Sequence, residues 1–169
     1  MSSSAAQALQ SVKGMRAVLP AQMASYRHVL DRARASLESQ GCREIMPNLV
    51  ESESLYKKTL GVTSDIVLKE MYYVEAGGEQ SSVGVGARHV LRPEGTAGVL
   101  RSLLADKTQL LGTLSKETLK TWYWGPMFRH ERPQTGRLRQ FYQLGMEIVG
   151  GSKPVTDFGH LLQTDFEAI

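Results

Sequence analysis

The sequence predicts an α+β domain in which an antiparallel sheet is flanked by helices, and three observations carry that expectation. Residues 119–129 and 138–149 are strand-like runs rich in aromatic and branched side chains, joined by a polar segment (130–137) that holds Pro133 and Gly136, the pattern of a long antiparallel hairpin. Met23, Tyr26, Leu30, Ala33 and Leu37 recur at spacings of three and four before Gly41, which marks an amphipathic helix. A second apolar helix face, Ala97, Val99, Leu100, Leu103 and Leu104, follows a short strand signal at 89–91. With 169 residues, 41% of them hydrophobic and 22% charged, one domain with a real core is expected.

In chain order, 1–12 reads as a flexible tail without the apolar core of a secretory signal, and it leaves organelle import open. The helix ending near Gly41 leads into a strand signal at 42–50 closed by Pro47, then a segment capped by Ser52 that runs through Leu55 and Leu60 to Gly61. The residues alone favour a helix packed on an edge strand that happens to contain a proline. Strand propensity returns at 71–74. The Gly- and Ser-rich stretch 75–88 reads as a flexible loop, and its GVGAR lacks the third glycine of a dinucleotide fingerprint. After the strand at 89–91, Arg92-Pro93-Glu94-Gly95-Thr96 reads as a turn in which Thr96 can cap the following helix. Beyond Gly151, Lys153 and Pro154 open a last helical pattern with Phe158, Leu161, Leu162, Phe166 and Ile169 on one face.

The formal charge is only +3 with a pI near 9.1, so the distribution of charge says more than its total. Arg129, Arg132, Arg137 and Arg139 crowd the loop end of the predicted hairpin, with Glu131 the only carboxylate among them. Guanidinium forks on paired strands suit phosphate oxygens, although a solvated hairpin tip would look the same. The single Cys42 fits a reducing compartment and a small buried hydrophobe. No apolar run approaches the roughly 20 residues of a membrane span. Neither His89 nor His130 has metal-ligand spacing, and no metal-binding residues are expected.

FRHERPQTGRLRQFYQLGMEIVG (128–150) resembles motif 2 of class II aminoacyl-tRNA synthetases in the form found in histidyl-tRNA synthetases, and LRPEGTAG (91–98) matches a block of the same family. KGMRAVLP (13–20) resembles the family's RGM-x-D-x-LP, with Arg16 and Ala17 replacing the usual polar pair, and TSDIVLKEMYY (63–73) resembles its stretch ending in KEMY. The resemblance makes 41–61 motif 1, with Pro47 at the interface of a homodimer, and 119–150 motif 2. It implies the class II catalytic core, histidine and ATP as substrates with Mg2+ bound through the ATP phosphates, and tRNA(His) as acceptor. It assigns Arg129 to the α-phosphate of ATP as the catalytic cation, Glu131 to the adenine amino group, Phe141 to stacking on adenine and Arg137 to the γ-phosphate. Glu94 and Thr96 would hold the α-amino group of histidine, Gln143 would lie near that group, and Glu147 would face the imidazole. Strand alternation supports part of this, since Phe141, Gln143, Gly145 and Glu147 share parity, with Arg137 and Arg139 extending the row. Arg132 and Gln134 would approach the tRNA, though as loop residues they could equally be merely solvated.

Tyr142 stands where many relatives have His, but on the opposite face. The resemblance covers 13–169 and only the first part of such a synthetase, without motif 3, the later histidine-binding arginine segment or the anticodon-binding domain. A truncated chain, inactive alone, is the expectation, with a cytoplasmic location. The rival is a non-catalytic histidine-binding module like the regulatory subunit of ATP phosphoribosyltransferase. Such modules tend to lose the ATP arginines, so Arg129, Glu131 and Arg137 together weigh against it.

Overall fold

A computed structural model of the chain describes residues 10–75, 88–105 and 118–150. Most of the predicted tail, the Gly- and Ser-rich stretch at 76–87 and the helical pattern after Gly151 lie outside the described residues.

Helix α1 (Pro20–Ser39) begins where proline's fixed φ suits a first turn, and the Gln22 side chain accepts a hydrogen bond from the Leu19 N–H at 3.3 Å. It ends before Gly41, whose φ of +78° turns the chain. Of the periodic residues only Leu30 is fully buried, and Tyr26 remains 39% exposed. The stretch expected as one strand at 42–50 is instead divided. Strand β1 (Arg43–Glu44) pairs in parallel with β5 (Thr118–Phe128), while β2 (Val50–Ser52) pairs antiparallel with β4 (His89–Leu91) in a different sheet. Pro47 lies buried in the crossing between them, where its missing N–H interrupts no ladder.

Ser52 caps α2 (Glu53–Leu60) as expected, its Oγ accepting from the Ser54 N–H at 3.3 Å, and Gly61 at φ +85° closes the helix. A π-helical turn (Ile66–Glu70), which periodicity does not signal, delivers the chain to β3 (Tyr72–Val74). Strand β4 is the centre of the three-stranded antiparallel sheet β2-β4-β3. Helix α3 (Thr96–Ala105) buries Ala97, Val99 and Leu103, but Leu104, expected on the same face, is 63% exposed.

The predicted hairpin is present as β5 and β6 (Gln140–Gly150), paired from Thr118↔Gly150 to Phe128↔Gln140. Its period-two pattern buries both faces. Leu119, Tyr123 and Met127 pack with Val99 and Leu103 of α3, and Phe141 and Val149 lie against them. On the opposite face Trp122 packs with Leu30 of α1 and Cys42, against Trp124 and Met146. Burial raises the Cys42 thiol, and its Sγ lies 3.7 Å from Met146 Sδ, as expected of a small core residue. A third cluster, Tyr56, Val67, Met71, Val90 and Ala97, fills the space beneath the other sheet. The α+β class and the flanking helices therefore hold, with the sheet divided in two and one parallel pair added.

Arg92 joins the two sheets. It is 3% exposed, and its guanidinium donates to Pro47 O at 2.7 Å and Pro126 O at 3.0 Å. Its backbone N–H donates to Leu49 O and its carbonyl accepts from the Phe128 N–H. Gly125 makes room, because a Cβ there would run into Arg92 Nη2. Burial lowers the affinity of this guanidinium for its proton, but an arginine retains it. Arg92→Met should leave the Pro47 and Pro126 carbonyls without their donors and lower unfolding free energy by about 3 kcal/mol. Urea denaturation followed by circular dichroism measures this, and a loss below about 1 kcal/mol would show that the joint is dispensable.

Candidate functional site

Arg129, Glu131, Arg137 and Phe141 line one open cleft of about 430 Å³, together with Glu70, Gly136 and Leu138. Hairpin geometry accounts for the convergence. The ladder runs one step past β5, with the Arg129 N–H bonded to Arg139 O, and Phe141 is the second residue of β6. The turn between them closes through reciprocal backbone bonds of Gln134 and Arg137, with Gly136 at φ +81°. Arg129 is well fixed: its Nε donates to Pro93 O at 2.9 Å and its guanidinium lies 5.2 Å from the Phe141 ring centroid. Glu131 stands between the two cations, 4.0 Å from Arg129 and 3.5 Å from Arg137. The Arg137 side chain is 65% exposed, so that ion pair is easily exchanged for another anion.

Arg139 is spent otherwise. Its Nε donates to Glu131 O at 2.9 Å, its Nη1 reaches Lys13 O, and its backbone N–H donates to Gly14 O at 2.7 Å. It clasps the segment before α1 to the hairpin. Arg137 belongs to the turn rather than to β6, so the alternation read from the sequence stops short of it. Arg132 and Gln134 are exposed on the loop, and His130 packs edge-on against Tyr72 at 5.2 Å.

A second group forms deeper on the same face of the hairpin. Thr96 donates from Oγ1 to Glu147 Oε1 at 2.7 Å. Glu94 accepts from the backbone N–H groups of Thr96 (2.7 Å) and Ala97 (3.0 Å), so Glu94 caps α3, whereas the sequence pointed to Thr96. A carboxylate can do this from outside the first turn because the free N–H groups and the helix dipole both favour it. The buried Tyr123 ring lies between Gly95 and Gly145, neither of which could carry a Cβ without striking it. Burial raises the Tyr123 hydroxyl pKa, and the Thr96 side chain offsets part of the rise. Gln143, predicted in this group, has its Oε1 buried with no hydrogen-bond partner among the described residues. Its neighbours on β6 face the other way: Tyr142 stacks on Trp124 at 5.3 Å and meets Tyr26 edge-on.

Sequence reasoning missed Tyr123, Arg92 and Glu70. Tyr123 could have been found by placing it opposite Gly145 in the hairpin, on the face that carries Glu147. Glu70 ends the π turn, where its carbonyl accepts from the His130 N–H at 2.6 Å. Burial pushes the Glu70 carboxyl up, and the charge of Glu131 adds to the rise. Among the described residues no group of three or more His, Cys, Asp or Glu could hold a metal ion.

The histidyl-tRNA synthetase family profile matches residues 14–163. The histidine–tRNA ligase of Rhodospirillum rubrum is 42% identical over 151 residues, which are 89% of this chain and 33% of that protein. That of Aromatoleum aromaticum is 43% identical over 158 residues, 92% and 33% of the two chains. The chain thus spans about a third of the length of these relatives. Among solved structures, the apo S. aureus histidyl-tRNA synthetase superposes with a TM-score of 0.61 at 25% identity, over 88% of this chain and 31% of that one.

Proposed function

The chain belongs to the histidyl-tRNA synthetase family, and from that premise we propose that it carries the ATP and histidine sites for activation of histidine to histidyl-adenylate and its transfer to tRNA(His). The convergence of Arg129, Glu131, Arg137 and Phe141 on one cleft carries the reading. In it Phe141 stacks on adenine, Glu131 accepts from the adenine amino group, and Arg137 reaches the γ-phosphate. Arg129 bonds the α-phosphate. When a carboxylate oxygen of histidine attacks the α-phosphorus and pyrophosphate leaves, charge builds on the α-phosphate oxygens, and a cation already fixed by Pro93 O stabilises it without reorganisation. Magnesium enters with the nucleotide phosphates, and no step above depends on a protein-held ion.

Histidine would lie over the second group. Its ammonium meets Glu94 and the Thr96 hydroxyl, with Gln143 nearby, and its imidazole N–H donates to Glu147, an oxygen of which Thr96 already orients. Arg132 and Gln134, exposed on the loop, suit contact with the tRNA acceptor end. A homodimer is supported by the outer edge of β2, unpaired among the described residues, and by the exposed apolar side chains of Met46 (85%), Leu49 and Val50 beside Pro47. The cytoplasm, a reducing compartment, fits the lone buried thiol of Cys42.

Arg129→Ala should remove about 3 kcal/mol of transition-state stabilisation, roughly a hundredfold in histidine-dependent ATP–pyrophosphate exchange by the intact synthetase. Exchange close to wild type would overturn the assignment. Glu147→Ala is expected to weaken histidine binding by about 1.5 to 3 kcal/mol with ATP affinity little changed. Calorimetric titration with each ligand separates the two, and equal losses would mean a structural role. Sedimentation equilibrium should find a dimer that Met46→Lys converts to monomer, while an unchanged mass would place the interface elsewhere.

A further inference from the structure

Glu70 contributes to the cleft a carboxylate that none of the assigned roles uses. It arrives from a different element, the π turn, and is tied to the hairpin through the bond from the His130 N–H to its carbonyl. That tie places it beside the residue between Arg129 and Glu131. Glu131, by contrast, is engaged with both arginines. The Glu70 carboxylate makes no hydrogen bond or ion pair among the described residues, and the groups that act on it are Glu131, Arg129, Asp65 and Arg137. A half-buried carboxylate in an open cleft, beside a second carboxylate and without a donor, is an unfilled acceptor.

We propose that Glu70 is a second base-reading residue of this cleft, accepting a hydrogen bond from the 6-amino group of the adenine that Phe141 stacks. The inference rests on the proposed ATP site and deepens it. A 6-amino group carries two N–H bonds, so one can go to Glu131 and the other to Glu70. A purine with a 6-keto oxygen would turn a lone pair toward both carboxylates, and a site built to accept from an N–H rejects an analogue that lacks it. The raised Glu70 carboxyl agrees with this placement, because a ligand donor would relieve the desolvation that causes the rise.

The test is calorimetric titration of the whole chain with ATP, inosine triphosphate and inorganic tripolyphosphate, for the wild type, Glu70→Gln and Arg129→Ala. Glu70→Gln keeps the shape of the side chain and can turn its amide N–H toward a keto oxygen. It should reduce the preference for ATP over inosine triphosphate about tenfold, the scale of one hydrogen bond to a charged group, without weakening tripolyphosphate binding. Arg129→Ala should weaken all three ligands alike. An ATP preference unaltered by Glu70→Gln, with binding still dependent on Arg129, would overturn the role of Glu70 and leave the ATP site standing. Loss of tripolyphosphate binding in Glu70→Gln would also overturn it, by showing a structural role, and failure of the wild type to bind any triphosphate would overturn both readings.

Discussion

A buried positive charge with no carboxylate partner among the described residues holds this fold together. Arg92 is solvated by main-chain carbonyls, Pro47 O and Pro126 O, rather than by an acid. Those carbonyls belong to the crossing that follows β1 and to the penultimate part of β5, while the backbone of Arg92 extends β4. One side chain therefore sets the spacing between the two sheets. Desolvating a guanidinium is expensive, and the fold tolerates it because the Pro47 and Pro126 carbonyls accept its hydrogen bonds. The next residues along the chain are Pro93, whose carbonyl fixes Arg129, and Glu94, which caps α3. Both candidate binding groups thus hang from the same joint.

The electrostatics of the cleft follow from how its charges are shared. Without a ligand, Glu131 balances Arg129 and Arg137, and the closer pair, to Arg137, is the more exposed to solvent. A triphosphate would replace a weak, solvent-screened pair with several charge-assisted bonds, and only Arg137 would need to move far. Arg129 is restrained by Pro93 O and by the Phe141 face, as the proposed contact with the α-phosphate would require. The deeper group is organised oppositely. There the Thr96 hydroxyl donates to Glu147 and orients its carboxylate, and two glycines let the Tyr123 ring fit beside them.

Much of this was legible in the sequence where a local period or a local breaker carried the information. The hairpin, its turn, the Ser52 cap and the ends of α1 and α2 follow from alternation, from Gly136 and from Gly41 and Gly61. The convergence of Arg129, Glu131, Arg137 and Phe141 came from the resemblance together with the hairpin. What was not legible depends on residues distant in sequence. No local pattern divides 42–50 between two sheets, because the choice of β5 for one half and β4 for the other is made by tertiary pairing. Leu104 fits a helical period yet faces solvent, because burial is decided by what lies opposite. Arg92, Tyr123 and Glu70 look ordinary along the chain and acquire meaning only from the carbonyls, glycines and charges brought against them.

The clasp between Arg139 and the segment before α1 has a consequence for how the chain is made. The bond from Arg139 to Lys13 spans 126 positions, and the neighbouring Gly14 has a φ of +83° and lies hard against the Arg139 stem. Contacts of such separation close late, after the entropy of a long loop has been lost. On a ribosome adding roughly 5 to 20 residues per second, α1 emerges and waits on the order of ten seconds before its anchoring arginine exists. During that interval Leu30 has neither Trp122 nor Met146 to cover it. Vectorial synthesis thus leaves the Leu30 side of α1 uncovered until the hairpin is delivered.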